Sequence, residues 1–388
     1  MNYMTAGESH GPQLTGILTG VPAGLHLDID AINAALAARQ GGYGRGSRQK
    51  IEHDTVTFVG GVRHAITMGG PIALVVTNRD HGHWGEIMSP TAEENDQNTL
   101  RQVTRPRPGH ADLVGGQKYG HHDMRNVLER SSARETAMRV AIGAICKQLL
   151  AAVGIGIVGY VDQVADIAGP AEKPLVVADI EAKIAGNDMR MLNADQVDRI
   201  HAVIDETRRA GNTLGGIVRV VADGVPAGLG SYTAWDQKLD AKIAGAVMGI
   251  NAFKGVEIGD GFEAAQSLGS EVMDEIDWHE ETGYSRLSDH LGGFEGGMTN
   301  GMPVVVRGAM KPIPTLYQPL QSVDIHTHVV SKANVERSDT TAIVPASIVA
   351  ESAVAFELAR ALGETFDDAN LARMQQQVAA YREEFRKF

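Results

Sequence analysis

Apolar residues recur with two different periods in this chain, and the order in which the periods follow one another restricts the fold. Short β-branched or alternating runs predict strands, whereas apolar residues spaced three or four apart predict helices. The predicted strands are TVTFVGG (55–61), IALVVTN (72–78), GIVRVVADG (216–224), MPVVVRGAM (302–310) and SVDIHTHVV (322–330). The helical periods are Ile29/Ile32/Leu36, Met138/Ile142/Ile145/Leu149, Val197/Ile200/Ile204, Leu239/Ile243/Val247/Ile250 and the stretch from Leu371 to Phe385. Because strands and helices occur in clusters and do not alternate regularly, we expect an α+β fold.

Size and charge exclude several classes of protein. The 388 residues, 43% of them hydrophobic, suffice for an extensive core. No secretory leader pattern and no run of about 18 apolar residues is present, so we expect a cytoplasmic protein without a membrane partner. The net charge of −13 argues against nucleic-acid binding. Cys146 is the only cysteine, which excludes an internal disulfide.

The arginines are concentrated in two segments of this acidic chain. Eight basic residues, seven of them Arg, stand between Arg101 and Arg139 against four acidic ones, and a second group comprises Arg39, Arg45, Arg48 and Lys50. A solvated face with local ion pairs would account for such clusters. A pocket for a small polyanion would account for them too, because the guanidinium fork matches carboxylate and phosphate.

The segment RSSARETA (130–137) carries a helix start signal. Ser132 and Glu135 have the spacing of a capping box, which predicts a helix from Ser132 to about Val153 with Gly154 as its stop. Arg134 would lie in the first turn, where a cation opposes the helix dipole. Either the arginine is simply solvated, or an anionic ligand binds at this helix end.

Three familiar motifs fail on their context. GESHG (7–11) fits the G-x-S-x-G elbow, but no apolar strand precedes it, so we do not expect Ser9 to be an esterase nucleophile. GIGIVG (154–159) fits a dinucleotide fingerprint but reads as a strand with small residues. The histidine pairs 81/83, 121/122 and 326/328 lack further ligands at recognisable spacing, so we expect no metal site.

The polar residues that remain suit proton transfer and ligand binding. His10 and His110 lie in Gly- and Pro-rich segments, where proton transfer is favoured over core packing, although a surface position is the alternative. Asp339 stands beside Arg337 and alone would read as a salt-bridged turn or a cap. Lys311 begins KPIPT (311–315), whose two prolines fix the backbone. Such a rigid segment, called the ledge below, suits a surface on which a cofactor packs.

These segments together resemble the chorismate synthase family. The matching motifs are GESHG, GRGSRQKIEHDTVTFVGGV (44–62), RPGHADL (107–113), RSSARETA, MKPIPTL (310–316) and RSDTTAIVPA (337–346). They run in order from about residue 5 to residue 350. The resemblance implies a β-α-β sandwich, with a helical core between antiparallel sheets, as a single domain over residues 1–388 that assembles into a homotetramer.

The family's reaction would explain the arginines. It is a 1,4-elimination that removes the 3-phosphate and a ring proton from opposite faces of 5-enolpyruvylshikimate 3-phosphate, giving chorismate. The resemblance implies His10, His110 and Asp339 as catalytic residues: His10 beside the leaving phosphate, His110 as a proton donor near a flavin, and Asp339 in removal of the ring proton. The implied substrate contacts are Ser9, Arg39, Arg45, Arg48, Arg107, Arg134 and Arg337.

The family also implies reduced FMN, although the reaction has no net redox change. The implied FMN contacts are Arg130, Ser131, Ser132, Asn251, Ala252, Gly296, Lys311, Pro312, Ile313, Pro314, Thr315 and Arg337. No dinucleotide fingerprint is evident, so NADPH is expected only as an indirect reductant, with a separate flavin reductase as a possible partner. NADP contacts near Arg39 and Arg45 follow by family analogy, but the substrate gives those arginines a better reason.

Two rival functions keep part of this pattern. A flavin-independent phosphate lyase would use the arginines and histidines but would leave KPIPT, Asn251, Ala252 and Gly296 without a task. A non-catalytic anion-binding protein would need the arginines but not His10, His110 and Asp339. Flavin titration tests the first rival, and substitution of these three residues tests the second.

Overall fold

Two antiparallel sheets enclose a layer of helices. The computed structural model describes residues 1–46, 51–91, 100–170 and 176–388. One sheet has four strands in the order β1-β2-β6-β3, and the other has five in the order β10-β15-β9-β7-β8. The strands are β1 (Asn2–Ala6), β2 (Gln13–Thr19), β3 (Val56–Gly60), β4 (Val62–Arg63), β5 (Ile66–Thr67), β6 (Ile72–Thr77), β7 (Gly156–Val164), β8 (Ile167–Ala168), β9 (Gly216–Asp223), β10 (Phe253–Ile258), β11 (Ile276–His279), β12 (Gly283–Arg286), β13 (Phe294–Glu295), β14 (Met298–Thr299), β15 (Val304–Met310), β16 (Gln321–Val323) and β17 (Val330–Lys332).

Two helices form the centre of the sandwich. The α-helices are α1 (Ile29–Gln40), α2 (Asp112–Tyr119), α3 (Arg125–Ser131), α4 (Thr136–Ala152), α5 (Val177–Ile184), α6 (Val197–Arg209), α7 (Leu239–Met248), α8 (Gly269–Val272), α9 (Ile343–Thr365) and α10 (Leu371–Lys387). Helix α4 packs on β2 and β6 of the first sheet, whereas α9 packs on β7 and β9 of the second. The two helices also pack on each other, so one apolar core runs through both sheets. The expected α+β fold with a helical layer between antiparallel sheets is confirmed.

A close approach of backbones fixes the contact between the central helices. A Cβ atom added to Gly143 of α4 would lie 2.3 Å from the Cβ of Ser352 in α9. Such a distance is far inside van der Waals contact, so a side chain at this position would force the helices apart. Glycine at residue 143 therefore permits the tight packing of the two helices.

Most of the predicted elements are present. The helical periods coincide with α1, α4, α6, α7 and α10, and four of the predicted strands coincide with β3, β6, β9 and β15. GIGIVG leads into β7, as its reading as a strand requires. Helix α4 ends at Ala152, and Gly154 has the left-handed φ of +79° that suits a stop.

The predicted strand 322–330 is wrong. Its ends belong to β16 and β17, which pair with each other across a turn. The Asp324 carboxylate accepts hydrogen bonds from the main-chain N–H groups of His326 and Thr327, both at 3.0 Å. Local capture of N–H groups by an aspartate competes with strand pairing, so an alternating sequence folds here as a hairpin.

The sequence pattern did not indicate α9, the longest helix described. Nearly all of its residues from Ile343 to Leu362 are buried. A helix that is covered on every side has no polar face, so it lacks the 3.6-residue periodicity on which the prediction depends. No helix in the described ranges combines the length and apolar character needed to cross a membrane.

Candidate active site

His10 is buried beside two carboxylates. Its Nδ1 lies 2.8 Å from Oε1 of Glu129, and its Nε2 lies 4.0 Å from Oδ2 of Asp80. The imidazole stacks on the indole of Trp84 with 3.9 Å between ring centroids. His10 is only 7% exposed, so the surface alternative for this residue does not hold. Carboxylates therefore face both ring nitrogens of His10.

Arg39 and Arg134 converge on one buried carboxylate. Nη1 of Arg134 donates to Oδ2 of Asp54 at 2.7 Å, and Nη1 of Arg39 lies 3.7 Å from the same oxygen. Nε of Arg134 also donates to Oδ1 of Asn78. Nη2 of Arg134 is buried and makes no hydrogen bond within the described residues. Nη2 of Arg134 also lies 3.9 Å from Oε2 of Glu52, so two buried guanidiniums face two buried carboxylates here.

The predicted capping box is only half present. Oγ of Ser132 accepts from the N–H of Arg134 at 3.2 Å, but the Glu135 carboxylate binds Thr5 and Arg139 and does not return to Ser132. A 3-10 turn, Ala133–Glu135, therefore precedes α4, which begins at Thr136 and not at Ser132. Ser132 in turn donates to Oγ of Ser9 at 3.2 Å.

His110 belongs to a second charged cluster. Asp112 accepts from Nε of Arg107 at 2.8 Å, and its Oδ1 lies 2.6 Å from Nδ1 of His110. Nη1 of Arg107 donates to Oγ1 of Thr315 at 2.8 Å, which ties this cluster to the KPIPT segment. Burial would raise the pKa of Asp112, but the hydrogen bonds from His110 and Arg107 outweigh it and hold the pKa well below its usual range.

Asp339 and Arg337 each pair with a distant partner and not with each other. Asp339 accepts from Nη1 of Arg45 at 2.7 Å and from the N–H of Gly46 at 2.6 Å. Arg337 donates to Asp80 at 2.5 Å. Desolvation lowers the pKa of Arg45 despite its contact with Asp339. Arg48 lies outside the described residues.

Most of the predicted flavin residues form a connected chain of contacts. Nδ2 of Asn251 donates to the carbonyl of Ser131 at 3.0 Å, and the N–H of Lys311 donates to the carbonyl of Ala252 at 2.9 Å. Ala252 has a φ of +69°, a strained value for a residue other than glycine. Burial, followed by repulsion from Lys254, lowers the pKa of Lys311.

The KPIPT ledge lies against the loop of His110. A Cβ atom added to Gly109 would be 3.9 Å from both Nζ of Lys311 and the Cβ of Pro314. The carbonyl of Ile313 accepts from Oγ1 of Thr213 at 2.7 Å, which holds the stretch between Pro312 and Pro314 in place. Two prolines and this bond fix the ledge beside the second cluster.

Arg130 and Gly296 stand apart from the other predicted contacts. Arg130 is the exposed end of α3 and donates to the carbonyls of Thr5 and Gly7, so it holds the loop that leads to His10. Gly296 forms the turn between β13 and β14. A Cβ atom at Gly296 would meet only Tyr232 within 4 Å, chain neighbours aside. Within the described residues, Gly296 is not brought to the other predicted flavin contacts.

A cleft of about 590 Å³ opens beside His10. Asp80, Trp84, Arg101, Arg125 and Arg337 line it, together with neighbouring residues that include Asn334 and Glu336. Both signs of charge face the cleft, and its arginines include a predicted substrate contact. Its chemistry suits a small, charged and hydrogen-bonding ligand better than an apolar one.

Sequence reasoning missed the acidic partners of the basic residues. These partners are Glu52, Asp54, Asp80, Asp112 and Glu129, each at most 4% exposed. Asp112 lies within the motif RPGHADL, and a buried acid next to a histidine could have been suspected there. Glu52 and Asp54 lie within GRGSRQKIEHDTVTFVGGV, whereas Asp80 and Glu129 lie outside the quoted motifs, and only folding brings these acids to the basic residues. Among the described residues, no three potential ligands gather as a metal site requires.

Three comparisons with known proteins all point to the same family. The chorismate synthase family profile matches residues 1–362. The chorismate synthases of Lactiplantibacillus plantarum and Limosilactobacillus fermentum are 69% and 62% identical, each over 388 residues and 100% of both chains. A crystal structure of chorismate synthase, 38% identical, covers 100% of this chain and 98% of its own with a TM-score of 0.81. The chain, with its arginines and two histidine clusters, therefore belongs to the chorismate synthase family of lyases.

Proposed function

We propose that this protein converts 5-enolpyruvylshikimate 3-phosphate to chorismate and phosphate by 1,4-anti-elimination, with reduced FMN and no net redox change. One observation carries the proposal beyond family membership. Arg39 and Arg134 meet at Asp54, and Asn78 joins Arg134 to the carbonyl of Gly11, the residue next to His10. Arg337 pairs with Asp80, whose Oδ2 lies 4.0 Å from Nε2 of His10. A substrate with one phosphate and two carboxylates needs such a concentration of cations beside a proton donor.

Substrate binding would exchange ion pairs within the protein for ion pairs with the ligand. Arg337 and Arg45 are held by Asp80 and Asp339, and the buried Nε of Arg45 makes no hydrogen bond within the described residues. Arg107, Arg134 and Ser9 would complete the contacts. Because these groups are already fixed by carboxylates and by Thr315, little side-chain entropy would be lost on binding.

Proton transfer would fall to three side chains. We assign His10 to the proton at the leaving phosphate, because its Nε2 faces the network of Asp80 and Arg337. His110, held through Nδ1 by Asp112, would keep a proton near the flavin. Asp339 would assist removal of the ring proton once its bond to Arg45 is given over to the substrate.

Several groups fit a flavin between the two clusters. Oγ of Ser131 is buried without a hydrogen-bond partner in the described residues, and Nζ of Lys311 lies near Gly109. Ser132, Asn251, Ala252 and the ledge 312–315 would complete the hold, with Arg130 and Arg337 at its edges. Reduced FMN would lend electron density that assists phosphate loss. NADPH would act only indirectly, through a separate reductase.

A homotetramer is part of the proposal. The outward face of the four-stranded sheet carries no charged side chain within strands β1, β2, β3 and β6. Met4, Ile17 and Val59 on it are 73%, 46% and 63% exposed. An uncharged, partly apolar sheet face of this kind favours contact with a second copy.

Anaerobic turnover tests the function. Purified protein, substrate and dithionite-reduced FMN are followed for chorismate absorbance and phosphate release, with oxidised FMN and no flavin as controls. Product with reduced FMN alone is expected. Equal product without flavin would favour the flavin-independent lyase. Substrate binding without product would favour the anion-binding protein.

A further inference from the structure

We propose that Glu129 is the positioning residue that makes His10 competent for proton transfer. This inference rests on the proposed function, because it assigns Glu129 a part in the step given to His10. Sequence patterns did not single out Glu129, which lies just before RSSARETA. Its evidence is the set of contacts between the end of α3 and the loop of residues 8–11.

Glu129 holds the loop at three points. Its carbonyl accepts from the N–H of Ser9 at 3.0 Å. Its Oε2 accepts from the N–H of His10 at 2.8 Å, and its Oε1 lies 2.8 Å from Nδ1 of His10. One residue therefore fixes both the backbone and the ring of His10. At 2% exposure, Glu129 makes these bonds away from competing water.

The contact with Glu129 decides which nitrogen faces the ligand. A carboxylate only accepts hydrogen bonds, so Nδ1 must carry the proton between the two groups. Nε2 then remains on the opposite edge, toward Asp80. Trp84 limits ring rotation by stacking on the imidazole, and Arg101 lies 3.9 Å from the centroid of the same indole.

Arg125 keeps the positioning carboxylate charged. Its Nη1 lies 3.4 Å from Oε1 of Glu129 one helical turn away. Burial would raise the pKa of Glu129, but hydrogen bonds from His10 and the charges of His10 and Arg125 outweigh it, so the pKa is lowered. An ionised Glu129 can then stabilise the imidazolium form of His10, as a carboxylate does for a catalytic histidine.

Two substitutions separate positioning from simple packing. Glu129→Gln keeps the shape but replaces the negative carboxylate by a neutral amide, and its NH2 group cannot accept a hydrogen bond from His10. Glu129→Asp keeps two acceptor oxygens. We expect Glu129→Gln to lower kcat about tenfold or more with KM within about twofold, and Glu129→Asp to recover part of that loss.

A double-mutant cycle gives the decisive readout. If Glu129 acts through His10, then His10→Ala with Glu129→Gln is no slower than His10→Ala alone. The matched control is Glu357→Gln, which alters a buried glutamate of α9 in a different cavity and should keep wild-type turnover. Thermal unfolding of each variant verifies folding; if Glu129→Gln does not fold, the cycle is run with Glu129→Asp.

The outcomes distinguish this inference from the proposed function. Wild-type protein that makes no chorismate with reduced FMN would overturn the proposed function before any variant is measured. If the wild type makes chorismate and folded Glu129→Gln has the same kcat, the inference about Glu129 is overturned and the proposed function stands. Losses from Glu129→Gln and His10→Ala that multiply in the double variant would also overturn it, because they would show that Glu129 acts independently of His10.

Discussion

Arg337 donates to Asp80 at 2.5 Å, although the arginine side chain is 44% exposed and the aspartate side chain only 3%. The pair thus joins a buried acid next to His10 to a cation at the mouth of the cleft. In the proposed complex, the same guanidinium would contact the substrate.

Arg337→Met should weaken substrate binding. A charge-assisted hydrogen bond contributes about 1.5–3 kcal/mol, so KM for 5-enolpyruvylshikimate 3-phosphate should rise about 10- to 100-fold. Steady-state kinetics under anaerobic conditions measures the change. Arg373→Met is the matched control, because Arg373 is an exposed arginine of α10 paired with Asp367. An unaltered KM in Arg337→Met would contradict the assignment of Arg337 to the substrate.

Asp112 should make the fold sensitive to acid. Its folded pKa is lowered by His110 and Arg107, so its contribution is present above the unfolded pKa of about 3.9 and is lost as pH falls through the folded value. Asp112→Asn should cost about 3–5 kcal/mol at pH 7, as breaking a buried pair does. Urea unfolding should show that the difference in free energy of unfolding between variant and wild type becomes smaller below about pH 4. A gap of constant size from pH 7 to pH 3 would rule out the ion-pair explanation.

Glu357 should have the opposite effect on the pH dependence of stability: it should make the fold less stable as pH rises. It lines a cavity of about 240 Å³ with Tyr3 and Arg139, and burial raises its pKa to about 7 against the attraction of Arg360 and Lys242. A carboxyl that is harder to ionise in the fold lowers stability as pH rises from about 4.5 to about 7. The free energy of unfolding of Glu357→Gln should therefore exceed that of the wild type by up to about 3 kcal/mol at pH 8. This difference should become smaller toward pH 5. Denaturant titrations at the two pH values decide this, and equal stability at pH 8 would refute it.

Ile17→Glu should cause the proposed homotetramer to dissociate. It adds a charge to the uncharged outer sheet face, where burial against a second copy would leave that charge unpaired. Analytical ultracentrifugation should show smaller species than for wild type. Val176→Glu, at another exposed apolar residue next to α5, should leave the assembly unchanged. A monomeric wild type, or a variant that assembles normally, would show that this face is not the interface.

Local sequence signals predicted much of the fold but missed α9, one of its two central helices. Amphipathic helices such as α6 have one buried and one exposed face, which leaves a periodic pattern. The buried helix α9 has no such pattern, and the strand predicted at 322–330 yields to bonds made by the side chain of Asp324. These misses occur where tertiary burial or a side chain, and not backbone periodicity, decides the structure.

The site residues show the same difference between what local sequence indicates and what only folding brings together. His10, His110 and the arginines could be proposed because they stand in unusual motifs. Asp80 and Glu129 could not, since their importance arises from contacts with residues 70 and 119 positions or more away in sequence. Ser132 was expected to be an N-cap, and its Oγ does accept from the N–H of Arg134 at the start of the 3-10 turn that leads into α4. Its bond to Ser9, which links this turn to the loop of His10, was not expected.

The rate of chorismate formation with reduced FMN, measured in one anaerobic series for wild type, His10→Ala, His110→Ala and Asp339→Ala, tests the central claim most directly. We expect wild-type turnover, and in each variant a rate reduced by about 10²–10⁴ with substrate binding retained, as for general acid–base groups. Full activity in these variants, or no chorismate from folded wild-type protein that binds FMN, would contradict the account.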